Sequence, residues 1–301
     1  MSVAPTTSCD VRCSPLPHAI RAVQIRCSAV DARKRFTQLV SLPEVVDLAE
    51  AALLIAAEAN PELNVAAYLT RLDELGAAAR RQLASRRSPD QCVAQLNHFL
   101  FIEQGFAGNR ADYYDPRNSF LNDVLDRRTG IPITLSLVYM EVGQRAGLPI
   151  RGIGFPGHFL VKYAGEVNII VDAFFGKILD EGQCRERFKA VLGPRVPFDR
   201  RHLEPATNKE ILARILGNLK QVYLQKNDLP ASLSCVERIL LLTPDNAREV
   251  RDRGLIYQQL ECFRAAAADL ERFLQLAPDD PSAGTVRAEL VALQRQAAQI
   301  H

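Results

Sequence analysis

The sequence predicts an α+β chain with helices on the N-terminal side, a small antiparallel sheet in the middle and an all-α repeat array at the end. Three observations carry this. Apolar residues recur at steps of three and four between residues 42 and 100, a period-two alternation sets in at Ile150, and the segment 218–244 repeats itself at 252–278. At 301 residues the chain has room for about two domains, and 48% hydrophobic residues are enough for a sizeable core.

Residues 1–35 are read as a disordered extension, because Pro5, Pro15 and Pro17 interrupt a stretch with no apolar period. Its arginines and scarcity of acids also admit a transit peptide. Cys9, Cys13, His18 and Cys27 have poor zinc spacing, so no metal site is expected. A first domain is expected over 36–205. Pro43 marks a helix start, with Leu48, Ala52, Ile55, Ala56 and Ala59 on one face. A second helix runs from about Asn64 with Val65, Leu72, Leu75 and Ala79 inward. After "RRSPD", Asp90 is placed to cap a third helix through Cys92, Leu96, Phe99 and Leu100.

The Gly, Pro, Asn and Asp content of "GFAGNRADYYDPRN" (105–118) predicts a structured loop. Ser119 is placed to cap a short helix over "FLNDVLDRR". The next helix opens at Pro132 and ends at Gly147 with Pro149 beyond, the asymmetry expected of helix ends. "IRGIGF", "HFLVKY" and "NIIVD" then read as strands of an antiparallel sheet.

From 206 to 301 the pattern is all-α. At a shift of 34 residues Tyr223 meets Tyr257, Ala231 meets Ala265, and Pro244 meets Pro278. That period with those residues is the tetratricopeptide signature, so two repeats are expected, with a capping helix from Ala283. Such an array implies a protein or peptide partner. Arg214, Gly217 and Asn218 resemble the start of a clamp for a C-terminal carboxylate, but Asp252 stands where the second repeat would need Asn, which favours ordinary repeat packing.

Composition excludes little and supports less. The net charge of +2 gives no electrostatic case for nucleic acid. No apolar run is long enough for a membrane span and no secretory leader is recognised. Seven scattered cysteines do not form a disulfide framework, so free thiols in the cytoplasm are expected.

The chemistry-bearing candidates lie between Pro132 and Asp172. A cysteine hydrolase sets its thiol at a helix N-terminus, pairs it with a histidine near one strand, and orients the imidazole with an acid on the next. Here a helix start at Pro132 is followed by His158 and Asp172 on successive strands. "GIPITLSLVYMEVGQRAGLPIRGIGFPGHFLVKY" with "IIVDAF" resembles the transglutaminase-like superfamily. Joined to "FLFIEQGFAGNRADYYDPRNSFLNDVLDRRTG" and the repeat tail, it resembles more closely the bacterial SirB family, named for regulators of invasion genes.

The resemblance implies a papain-like core and places the superfamily's catalytic cysteine on Pro132, with His158 and Asp172 as the other two triad members. Proline has no nucleophilic side chain. Ser136, one helical turn on, is the alternative nucleophile, Cys184 or an activated water are others, and no cofactor is expected. His158 is equally readable as a structural histidine bonded to Asp172. Tyr113, Tyr114, Asp115, Asn118 and Asn122 are read either as the lining of a cleft near Pro132 or as turn chemistry. Two functions stay open, a non-catalytic interaction protein and a hydrolase or transferase on peptide or amide bonds.

Overall fold

The computed structural model describes residues 29–41, 46–86 and 88–299. Helix α1 (Ala29–Ser41) buries Ala32, Phe36 and Val40, at steps of four, against α2 (Leu48–Ala59). Residues 29–35 therefore belong to the fold and not to the expected extension. The rest of that extension, with the four zinc candidates, lies outside the described residues, as does Pro43. Asp47 caps α2, accepting from Glu50 N at 2.9 Å. The helix is buried from Leu48 to Ala57 and not along one stripe, because α1, α3 (Val65–Leu83), α5 (Leu121–Arg127) and α8 (Asn208–Gln225) all pack on it.

Two caps differ from expectation for stated reasons. Helix α4 (Pro89–Asn97) is capped by Ser88 and not Asp90, since Pro89 occupies the first helical position and puts the cap one residue before it. Helix α5 starts after Phe120, because Ser119 closes the 3₁₀ turn over Pro116–Asn118 with helical backbone angles, φ −100° and ψ −12°, and not the extended ones an N-cap needs. The loop before α5 contributes a two-residue strand, β1 (Ala107–Gly108). It pairs in parallel with β2 (Thr129–Gly130) and so ties the loop to the head of α6 (Pro132–Arg145).

Helix α6 is buried from Pro132 to Gly143 and forms the spine of the first domain. Behind it the strands β3 (Ile150–Ile153), β4 (Leu160–Ala164), β5 (Asn168–Asp172) and β6 (Lys177–Leu179) form an antiparallel meander. Ile169 and Val171 join the main core with α6, while Ile170 and Leu179 join a second cluster with Cys184 and Phe188 of α7 (Glu181–Leu192). Both faces of the sheet are thus covered, which is why Ile169, Ile170 and Val171 form an unbroken apolar run.

The C-terminal third consists of α8, α9 (Leu229–Leu242), α10 (Ala247–Gln259), α11 (Phe263–Leu276) and α12 (Ala283–Gln299). The first two pairs are the repeats, and α12 packs on α11. Buried Lys220 joins α8 to α10 by donating to Glu249 and Asp252 at 2.8 Å, so Asp252 serves repeat packing. Ile211, Leu212, Ile215, Leu216 and Leu219 of α8 belong to the same core as α2 and α6. No gap in packing therefore separates the first repeat from the domain before it.

The joint is also polar. Arg33 of α1 clasps Glu58 of α2 at 2.8 and 2.7 Å and reaches Glu237 of α9 at 2.9 Å, while Ser234 of α9 donates to Glu58 at 2.5 Å. Burial pushes the Glu58 carboxyl up, but Arg33, Arg238 and Ser234 outweigh it and hold it below the usual carboxylate range. Glu58→Ala leaves Arg238 buried beside an empty place, and is expected to cost about 1–3 kcal/mol. Urea denaturation checks this as a lower midpoint at unchanged slope.

Candidate active site

The head of α6 is built without a side-chain cap from Ile131. Thr134 closes the first turn instead, accepting from Ile131 N at 3.2 Å and donating to Asn118 O at 2.6 Å. Pro132 sits at the first helical position, where its missing N–H is one the helix could not pair and its fixed φ is already helical. It contributes no nucleophile.

His158 lies in the turn between β3 and β4, its amide bonded to Phe155 O at 3.2 Å, and so precedes the strand it was expected to open. Val161 pairs with Val171, so Asp172 comes one step beyond that pair, beside the turn. His158 Nε2 is 3.0 Å from Asp172 Oδ1. The carboxylate accepts, so Nε2 carries the proton, and Nδ1 is left without a hydrogen bond to any described residue. Asp172 has no exposed surface, and it accepts further from the amides of Phe174 at 3.0 Å and Phe175 at 3.3 Å, and from Arg187. Burial pushes its pKa up, but His158 and Arg187 prevail and hold it below the usual range. The imidazole packs parallel to Phe175 and edge-on to Phe174, both at 6.2 Å.

The other candidates fall in different places. Ser136 is fully buried in α6 and its hydroxyl has no hydrogen-bond partner. Cys184 is buried under the sheet, and burial pushes its thiol up to about 11, the wrong direction for a nucleophile. Among the described residues no Ser, Thr or Cys side chain bonds to His158. Asn118 is a brace, donating to the carbonyls of Asp112 at 2.7 Å and Tyr113 at 3.2 Å. Buried Asp115 caps the turn and pairs with Arg117 and Arg127. Asn122 is buried with its Oδ1 unpaired, and Tyr114 is exposed.

Arg214 of α8 donates to Phe155 O at 2.9 Å and His158 O at 2.6 Å, so it holds the histidine's turn from the repeat side. Asn218 is half-buried in α8 and bonds to none of the described side chains. Among the described residues no group of acids, histidines and cysteines is arranged to hold a metal ion, and no helix is long and apolar enough to cross a membrane.

Comparison with known proteins gives the family. The family model described as transglutaminase-like superfamily matches residues 66–217, half of the chain. The chain belongs to the transglutaminase-like superfamily. A tetratricopeptide-repeat model matches residues 219–290. A "UPF0162 protein" of Xylella fastidiosa is 40% identical, covering 86% of this chain and 94% of its own. "Protein SirB1" of Salmonella typhimurium is 28% identical, covering 76% and 86%. The solved structure of menin aligns over 83% of this chain and 70% of its own at a TM-score of 0.39 and 11% identity, too distant to bear on function.

In the transglutaminase-like domain, sequence reasoning found the His–Asp pair but missed Arg187 and the two phenylalanines that complete its surroundings. Phe174 and Phe175 were adjacent to Asp172 in "VDAFFG" and legible in principle; Arg187 had no signal, because α7 itself lacks a clear apolar stripe.

The depressed pKa of Asp172 has a definite sign. The stability it contributes is complete above the ordinary aspartate value of about 3.9 and is lost as pH falls through its lower native value. Asp172→Asn, which cannot titrate, is expected to be less stable at pH 7 and to show a smaller drop between pH 7 and pH 3, read as urea midpoints.

Proposed function

We propose that this chain is a thiol-less transglutaminase-like protein that acts by binding, as an interaction or regulatory scaffold whose tetratricopeptide repeats engage a protein or peptide partner. The observation that carries the reading is Pro132 at the first position of α6, with no hydroxyl or thiol of the described residues bonded to His158 in its place. Covalent catalysis requires a nucleophile within hydrogen-bond reach of its base, and among the described residues the base here has none. Stacked helical repeats supply the extended surface that such a role needs. A cytoplasmic location is part of the same proposal, on the free thiols of Cys92, Cys184, Cys235 and Cys262.

One observation favours a second reading, a hydrolase or transferase on peptide or amide bonds. His158 Nδ1 is unbonded while Asp172 orients the ring, so the imidazole retains a lone pair for a water or substrate hydroxyl. The two readings part on His158→Ala. In a host lacking the native copy, a folded H158A variant is expected to restore the wild-type phenotype and to retain the partner recovered by affinity purification. Loss of the phenotype by a variant that still folds and still holds that partner would establish the catalytic reading instead.

A further inference from the structure

Exposed hydrophobic side chains scattered singly over a surface need no explanation, but a contiguous group of them marks a place where something binds. Among the described residues three aromatic side chains are exposed, Tyr113 at 43%, Tyr114 at 56% and Phe175 at 40%. All three fall in one row. Tyr114 meets Tyr113 at 5.4 Å, Tyr113 meets Phe174 at 6.3 Å, and Phe174 meets Phe175 at 5.1 Å, next to the imidazole of His158.

The row is held in place by buried groups. Asn118, with no exposed surface, donates to the carbonyls of Asp112 and Tyr113 and accepts from Asn109 at 3.1 Å. Gly108, paired into the small parallel ladder, lets the Phe174 ring come so close that a Cβ there would lie 2.5 Å from it. A surface fixed before its partner arrives avoids the ordering cost of binding. Guanidiniums crowd its Phe175 end. The guanidiniums of Arg110 and Arg187 lie over the Phe175 ring at 4.8 and 5.4 Å. Arg187 is committed to Asp172, whereas Arg110 is exposed and makes no ion pair among the described residues. Asp115 of the same loop is neutralised by Arg117 and Arg127, which leaves Asp112 as its single open acid.

We propose that this face binds an extended polypeptide segment that lays aromatic side chains along the row and sets a carboxylate on Arg110. Alternate side chains of an extended strand project on one face about 6.5 Å apart, against ring spacings of 5.1 to 6.3 Å, and the row is longer than a single side chain. The inference rests on the non-catalytic reading of the same site, since a bound segment beside His158 must leave intact.

The chain contains no tryptophan, so a peptide that carries it reports its own binding. The probe is acetyl-Glu-Trp-Glu-Trp-Glu-amide, followed by fluorescence anisotropy against the full chain, with the Lys-Trp-Lys-Trp-Lys counterpart as control. Saturable binding of the acidic peptide is expected, weakened about tenfold or more by Tyr113→Ala with Tyr114→Ala and by Arg110→Glu, with R110E reversing the preference between the peptides. These side chains are exposed, and circular dichroism checks that each variant folds. No binding at millimolar peptide, or binding indifferent to both variants, overturns the inference and leaves the non-catalytic reading standing. Binding followed by cleavage, read by mass spectrometry, overturns that reading and this one with it.

Discussion

The buried carboxylate of Asp172 gathers the tail of β5, the turn that carries His158, the Phe174–Phe175 turn and helix α7 into one arrangement. Two backbone amides, an imidazole and a guanidinium all converge on its two oxygens. Burying a carboxylate costs several kcal/mol unless hydrogen bonds and opposite charge replace the lost water, and here each oxygen is supplied. The geometry of the site therefore depends on the anion more than on the imidazole. His158 is one of four donors, while Asp172 is the acceptor common to all of them.

The same turn is held from the other end of the chain. Arg214 on the first repeat helix bonds to the carbonyls of Phe155 and His158, and its aliphatic neighbours on α8 belong to the main core. Arg33, Glu58 and Ser234 add polar contacts between α1, α2 and α9. A repeat array linked only by a flexible segment would move freely beside its domain. This one begins inside the domain's core, so the repeats and the environment of His158 belong to one packed body.

How much of this was legible follows from what kind of signal each part leaves. The repeats were read from self-similarity, because a stacked unit must present the same packing residues every 34 positions. The spine helix was read from Pro132, Gly147 and Pro149, whose backbone preferences are local. Helix α7 left no such trace, since only Cys184 and Phe188 of its twelve residues are buried, and with it Arg187 was invisible. The helix α1 was missed because its three inward residues, Ala32, Phe36 and Val40, are too few to stand out as a period. At the site, sequence order showed which residues stand near one another along the chain. Only the register of β4 on β5 shows that His158 and Asp172 meet, and only tertiary packing shows that Ser136 and Cys184 are buried elsewhere.

The persistence of His158 and Asp172 beside a proline needs no hidden activity to explain it. Proline at the first position of α6 costs the helix nothing, because that N–H has no intrahelical partner and the backbone angle is the one proline prefers. Removing the carboxylate of Asp172 strands two amides, an imidazole and a guanidinium, at about 1–3 kcal/mol for each buried group left unpaired. Of Pro132, His158 and Asp172, the first is thus the one the fold can change most cheaply, and the acid is the one it can least spare. A helix start without a side-chain nucleophile beside an intact His158–Asp172 pair is the form this unequal cost favours.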